Sequence, residues 1–323
     1  MKFTNTNILG LVLAVLSANL FSSKVILVKF AYAEGASPMQ VLAIRMATAL
    51  PFFLVLTILL LNRKGRPMPS KRDFAGMAVL GLFGYYLASV LDFHGMVYVT
   101  AGMERLLLYL YPSFLVLIRS VVEKTLPKPI EVVALIIAYT GAAFVYHEEH
   151  QGASANVLLG SFLILGSALS FAFYLYFSQS YAQKYGSMLF ASYSTTVSCV
   201  AILIHALLRP GNGGMELTGY VIFLCVVTGL ICTVASTYLM HLAISMIGSA
   251  KFGIMGTSGI ISPLILGIVF FADPLSLNRT IGICLVLSAV LLLGWKKKEK
   301  ARARNSLDLT LPPVTPSIRR KTI

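Results

Sequence analysis

Five ionisable side chains stand inside long apolar runs of this sequence: Lys24, Arg45, Asp92, Glu104 and Arg105. At the centre of a membrane helix such a group costs about 2.5–3.5 kcal/mol. It persists where it pairs, snorkels to the surface or lines a wet cavity, and it then marks a substrate path by default. A guanidinium at Arg45 can grip a carboxylate with two parallel hydrogen bonds, whereas Lys24 acts as a point charge. Asp92 and Glu104 neutralise two of the three cations, and the positive charge left over would meet a carboxylate or phosphate. The same two acids are the candidates for carrying a proton, should movement of a solute be coupled to one. The competing expectation is a salt-bridge network that only holds helices together. For Lys29, and as an alternative for Arg105, the expectation is snorkelling to the nearby surface.

Polar faces and helix breakers extend the candidate site. Tyr85, Ser89 and Asp92 recur at i, i+4, i+7, as do Glu104, Leu108 and Tyr111, spacings that share one face of a regular helix. Ser167, Ser170, Tyr174 and Tyr181 form another stripe, and Thr233, Thr237 and His241 a further one. Tyr111, Tyr174 and His241 are the substrate-contact candidates among them. For the Ser and Thr residues, close helix packing explains the pattern as well. Pro112 and Pro263 predict paired kinks that would act as gating positions. His147-Glu148-Glu149-His150 resembles a ligand run, but two histidines without further ligands predict a solvated acidic loop and no metal. Cys199, Cys225, Cys232 and Cys284 fall within apolar stretches and predict buried small side chains, with no disulfide framework.

These residues need elements long enough to carry them through a bilayer. The chain has 323 residues, 57% of them hydrophobic and only 12% charged. That excludes a soluble enzyme, a disordered chain and, despite a net charge of +14, a nucleic-acid-binding domain. The apolar runs reach roughly 18–25 residues, enough to span a membrane. They predict ten helices, over 8–31, 38–61, 74–98, 101–122, 129–147, 157–180, 188–208, 217–245, 249–272 and 279–295. Stretches such as Val132–Val145 lack the alternation of a barrel strand. Lys2, the apolar stretch after Ile8 and Ser17-Ala18 loosely resemble a signal peptide, but the run continues to Ala31, which predicts a retained helix. The loops with Arg63, Lys64, Arg66, Lys71 and Arg72, with Lys124 and Lys128, and the basic tail fall on one side, against only Arg209 and Arg279 on the other. This bias predicts cytoplasmic N- and C-termini. On that topology all five costly charges belong to the outer half, where an outer vestibule would hold them.

The two halves of the sequence echo each other. Leu9-Gly10 followed by Ser17-Ala18 matches Leu159-Gly160 followed by Ser167-Ala168, Pro112 matches Pro263, and Ala101 matches Ala250. Five helices per half, an odd number, force opposite orientations, an arrangement that places a substrate site between the repeats. The carriers of a family resemblance are Arg45 in LAIRMATALP, TAGMERLLLYLYPSFLVL from Thr100, GIISPLILGIVFFADPLS from Gly259 and IGICLVLSAVLLL from Ile281. With ten spans in a five-plus-five duplication, the chain resembles the drug/metabolite transporter superfamily, EamA-type, over approximately residues 8–295. Glu104-Arg105 departs from the small residues more typical of that position.

The resulting expectation is an all-α integral membrane protein of ten transmembrane helices, built as two inverted five-helix repeats. The repeats occupy 1–150 and 151–296, followed by a basic flexible tail at 297–323. The resemblance implies a non-enzymatic secondary transporter, an exporter or exchanger, in a bacterial inner membrane. Its cargo would be a small polar metabolite such as an amino acid or organic anion, moved by alternating access with no cofactor and no nucleic acid. Proton coupling and homodimer formation stay open. A membrane-embedded enzyme and a non-transporting scaffold or sensor are the competing readings.

Overall fold

The computed structural model describes residues 5–63, 68–152, 156–208, 217–248, 252, 255–271 and 276–292. Eight helices are long and apolar enough to cross a membrane: α1 (Ile8–Ala33), α2 (Pro38–Leu61), α3 (Lys71–Gly95), α4 (Ala101–Val122), α5 (Pro129–Glu148), α6 (Val157–Tyr185), α7 (Ser187–Leu208) and α8 (Gly219–Ile247). Two shorter apolar helices follow, α9 (Ser262–Phe271) and α10 (Leu277–Leu292). The ten expected elements are present, and the described residues contain no strand. The tail expected at 297–323 lies outside the described residues.

Local chemistry sets the helix ends. Ser37 accepts from the Gln40 amide while the Gln40 side chain takes the Ser37 amide, and Pro38 opens the helix, a reciprocal cap that satisfies two orphan donors. Ser70 caps α3 through the Asp73 amide, so this helix begins before the expected residue 74 and ends at Gly95. Gly186, at φ 89°, is the single residue between α6 and α7, a left-handed position that glycine adopts without strain. The helix of α5 continues to Gly152. The His147–His150 run is therefore helical, not the loop expected, and Glu148 accepts a hydrogen bond from Ser276 at the start of α10. Cys199, Cys225 and Cys232 are buried as expected, whereas Cys284 is exposed on the outer surface of α10.

The packing repeats itself under exchange of the two halves. α1 packs on α8 and α6 on α3; α1 touches the turn before α9 and α6 packs on α4; α2 packs on α8 and α7 on α3. Each of these contacts is the counterpart of the other when α1–α5 are exchanged with α6–α10. The α2–α7 and α4–α9 contacts map onto themselves. So does a close crossing of α5 and α10, where a Cβ on Gly141 would lie 2.6 Å from the Gly282 carbonyl oxygen and a Cβ on Gly282 would lie 2.6 Å from that of Gly141.

The sequence echo now has a physical reason. A Cβ on Gly10 would strike Ile247 at the end of α8, and one on Gly160 would strike Tyr98 just beyond α3. Ser17 Oγ donates to the Ser236 carbonyl at 2.9 Å, and Ser167 Oγ donates to the Ala88 carbonyl at 2.7 Å. Ser236 and Ala88 are each the first α-helical residue after a π-helical stretch, Thr228–Ala235 in α8 and Leu82–Leu87 in α3. The π segments widen the turn in the same place of each repeat, and hydroxyls of the neighbouring helix occupy exposed carbonyls there.

Candidate functional site

Breaks within α1, within α4 and just ahead of α9 meet one another. In α1 the Ile26 amide bonds the Ser23 carbonyl at 3.2 Å, whereas in an unbroken helix it would serve Ser22. The released Ser22 carbonyl takes Arg105 Nη2 at 3.1 Å. In α4 the Leu110 amide turns to Leu107 at 3.1 Å and the Ser113 amide to Leu110 at 3.0 Å. Pro112 causes this, having no N–H for the Leu108 carbonyl. Before α9, Thr257–Ile260 forms a 3₁₀ turn ahead of Pro263, which likewise offers no amide to Gly259. Tyr109 Oη donates to the Gly256 carbonyl at 3.1 Å across the gap between α4 and that turn. At Gly259 the chains pass so closely that a Cβ would lie 2.7 Å from Ser22 Oγ and 2.9 Å from Tyr109 Oη. The paired prolines thus mark paired helix breaks, as their register led one to expect.

All five ionisable residues gather beside this junction. Lys24 opens the second half of α1 and donates to Asp92 Oδ2 of α3 at 2.6 Å. Its ammonium sits 5.5 Å from the ring centres of both Phe21 and Phe93. Arg45 reaches from the middle of α2, with Cζ 5.3 Å from the Phe93 centroid and Nε donating to Thr233 Oγ1 of α8 at 2.8 Å. Arg105 Nε approaches Glu104 Oε2 at 3.3 Å, and its guanidinium carbon lies 5.7 Å from the Phe21 ring. Aromatic faces complement cations through the ring quadrupole. Lys24, Arg45, Asp92, Glu104 and Arg105 expose 4, 4, 2, 0 and 1% of their surface. Arg105 is therefore enclosed and does not snorkel. The cluster is sealed, not open to the vestibule expected from the sequence, with Phe21 and Phe93 packed against its cations.

Several buried atoms of this cluster lack a hydrogen-bond partner among the described residues: Arg45 Nη1, Asp92 Oδ1, both carboxylate oxygens of Glu104, Arg105 Nε and Ser22 Oγ. The Asp92 and Glu104 carboxyl groups lie within hydrogen-bonding reach of each other, so one proton between them would serve both, whereas Arg45 Nη1 still lacks an acceptor, and an unsatisfied buried polar group costs about 1–3 kcal/mol and more when charged. Lys29 reaches away from the cluster to a turn at the helix ends. Its ammonium donates to the Met96 carbonyl at 3.0 Å and the Val99 carbonyl at 2.6 Å, closing the turn between α3 and α4.

The remaining candidates lie apart from the charges. Tyr174 Oη donates to Tyr85 Oη at 3.4 Å, and the Tyr174 ring stacks on Phe171 and Phe190. Tyr111 packs edge-on to Phe171 and sits 6.4 Å, centroid to centroid, from Tyr109. These two tyrosines form an aromatic cluster around α6. Its link to the charged cluster is Tyr109, which sequence reasoning passed over. His241 is half-buried in α8, with Nε2 unpartnered among the described residues.

The polar stripes divide by helix regularity. On unbroken α6, Ser167, Ser170, Tyr174 and Tyr181 all face α3. The other three cross an interruption. Tyr85 meets α6 while Asp92 meets α1, because the π segment at Leu82–Leu87 shifts the register between them. Glu104 and Tyr111 are parted by the Tyr109–Leu110 break. Thr233 lies within the second π segment. Its hydroxyl donates to the Thr228 carbonyl at 3.1 Å and so offers a lone pair to Arg45. No periodicity in the sequence pointed to this role, although its position in a Gly- and Thr-containing stretch of α8 was a usable signal.

All five residues of the charged cluster belong to the first repeat, while the second contributes the buried Arg279 of α10. Applying the offset of the Gly10–Gly160 pair sets Tyr174 opposite Lys24, and contacts at Gly81 and Gly229 set Ser194 opposite Arg45. A Cβ on Gly81 would lie 2.6 Å from the Ser194 carbonyl oxygen, and one on Gly229 would lie 2.8 Å from that of Arg45. Similar backbones therefore carry a charged cluster in one half and an aromatic cluster in the other.

Comparison with known proteins agrees with this architecture. The EamA-like transporter family matches twice, over residues 8–147 and 158–295, once on each repeat. An uncharacterized transporter of Bacillus subtilis (strain 168), YcbK, is 27% identical over 282 residues, spanning 84% of this chain and 88% of its own. An uncharacterized transporter of Archaeoglobus fulgidus is 24% identical over 263 residues, spanning 81% and 90%. A crystal structure sharing 15% identity covers 90% of this chain and 95% of its own with a TM-score of 0.55, a likeness of fold. Helices long enough to cross a bilayer, a packing pattern that repeats under exchange of the halves and a family match on each half lead to one assignment: this chain is an integral membrane protein of the EamA-like transporter family.

Proposed function

We propose that the protein is a secondary carrier that moves a small polar metabolite, an amino acid or an organic anion, by alternating access between its two inverted halves. The observation that carries this reading is the buried charge cluster with unpartnered hydrogen-bonding atoms where three helix breaks meet. Broken helices supply backbone groups to a site near the centre of a carrier and give it places to bend. Arg45 would grip the cargo, Thr233 would aim the guanidinium, and Glu104 and Asp92 would receive hydrogen-bond donors. Tyr109, Pro112 and Pro263 would form the moving joint, and the tyrosines around Tyr174 would close the opposite side. The lysine- and arginine-rich loops favour an inner-membrane topology with both termini on the cytoplasmic side. A deletion strain and its parent, compared by metabolite profiling, nominate the cargo, and purified protein in liposomes tests its flux. Arg45→Ala and Glu104→Gln should abolish flux while membrane insertion persists; normal flux in both rejects the assignment. Chemical turnover of a lipid without flux would favour a membrane-embedded enzyme, and neither flux nor turnover a scaffold or sensor.

A further inference from the structure

We infer that Asp92 and Glu104 form a two-carboxyl site that binds one proton, and that this proton fastens α3 to α4 in the sealed state. The inference deepens the transport reading: it names what regulates that site, and rests on that reading for the passage of cargo. Glu104 is fully buried, yet among the described residues neither of its carboxyl oxygens has a hydrogen-bond partner, and Asp92 Oδ1 has none either. Arg105 does not fill the gap. Its Nε stands 3.3 Å from Glu104 Oε2 but is itself unpartnered, and its Nη2 is turned to the Ser22 carbonyl. Lys24 donates to the other Asp92 oxygen, Oδ2. A carboxylate taken out of water with no donor is strongly disfavoured. A carboxylic acid brings its own: the Glu104 O–H can donate to Asp92 Oδ1, since the two groups lie within reach, and the Asp92 carboxylate stays paired with Lys24. Carboxyls held side by side share one proton because both cannot ionise there.

The groups around the pair have contacts of their own. Arg45 of α2 lies on Thr233 and over the Phe93 ring, and Arg105 lies over the Phe21 ring. Tyr32 of α1, Tyr109 of α4, Cys199 of α7 and Cys232 of α8 also face the cluster, side chains that are uncharged at neutral pH. From α6, Ser167 bonds the Ala88 carbonyl, and from α10, Arg279 donates to Thr100 at the start of α4. Without the shared proton, two carboxylates face each other across the α3–α4 contact, and water becomes the source of donors for them. Sealing therefore takes up one proton from bulk water and opening returns it. Acid favours the sealed form and alkali the open one.

Infrared absorption of the purified full-length protein reads the proton directly. At neutral pH the wild type should show the C=O stretch of a buried carboxylic acid, shifted down in heavy water, and Glu104→Gln should lose that band. Glutamine carries an N–H donor for Asp92 Oδ1, so Glu104→Gln should fold and stay sealed at any pH. Sealing is read from a Ser22→Cys protein whose four native cysteines are replaced by alanine, as the rate of reaction with a thiol reagent relative to a free thiol at the same pH. Beside Glu104 this ratio should rise with pH by about tenfold per unit, as release of one proton requires; beside the glutamine it should stay flat. No acid band in the wild type, the same band in Glu104→Gln, an equal pH dependence of labelling in the two proteins, or failure of Glu104→Gln to fold would each overturn the inference. The band and the pH dependence without any cargo flux in liposomes would keep the proton site and reject the transport reading.

Discussion

Replacing Asp92 with asparagine isolates the strongest contact in the cluster. Lys24 Nζ lies 2.6 Å from Asp92 Oδ2, and the two side chains are 6% and 3% exposed. Asparagine keeps the volume but removes the charge, and it leaves an ammonium enclosed by Phe21, Phe93 and two further cations. Breaking a buried pair by removing one partner costs about 3–5 kcal/mol, whereas replacing both partners with apolar residues of similar size is often neutral or stabilising. Asp92→Asn should therefore lower the stability of purified protein by a few kcal/mol, read by thermal unfolding in detergent. The double substitution Lys24→Met with Asp92→Leu should recover most of that loss, so that the interaction appears as non-additivity in a double-mutant cycle. The recovered protein should remain without flux, because its site no longer carries the pair. Additive losses, or an Asp92→Asn protein that melts with the wild type, would refute the burial argument, since both imply that water reaches the ammonium.

Other elements give separate tests. Gly141→Ala places a methyl 2.6 Å from the Gly282 carbonyl oxygen, so the α5–α10 crossing should open at a cost of about 1–3 kcal/mol, seen as a lower melting temperature. Thr233→Val removes the acceptor that orients Arg45 while keeping shape; flux should fall with the protein still folded, and Thr233→Ser should restore it. Lys184→Ala removes an ion pair to Asp73 at 3.2 Å whose lysine is 58% exposed. Exposed pairs contribute about 0–1 kcal/mol, so its unfolding midpoint should stay close to that of the wild type.

What the sequence revealed follows from what a helix period can report. Length and hydropathy located the ten helices because lipid forces long uninterrupted apolar runs. The Gly10–Gly160 and Ser17–Ser167 pairs were visible because equivalent contacts need equivalent small or hydroxylic residues in both halves. The charges stood out because burial makes them costly. Regular periodicity failed where the helices are not regular. Tyr85 and Asp92 part company across a π segment, Glu104 and Tyr111 across the break before Pro112, and Thr233 gains its role from a widened turn. The carbonyls that Lys29 closes lie in a turn about seventy residues away in sequence, at Met96 and Val99, beyond the reach of local pattern. The rings beside the Lys24 ammonium, Phe21 and Phe93, arrive from different helices, which no single segment encodes.

Access to the cluster from both membrane faces is the most direct test of alternating access. Ser22 borders the cluster and its hydroxyl is unpartnered. A Ser22→Cys protein, with the four native cysteines replaced by alanine, is placed in vesicles of each orientation and exposed to a membrane-impermeant thiol reagent. The account predicts labelling from either face during turnover, with protection when cargo is bound. Labelling from one face alone, or from neither, would contradict it.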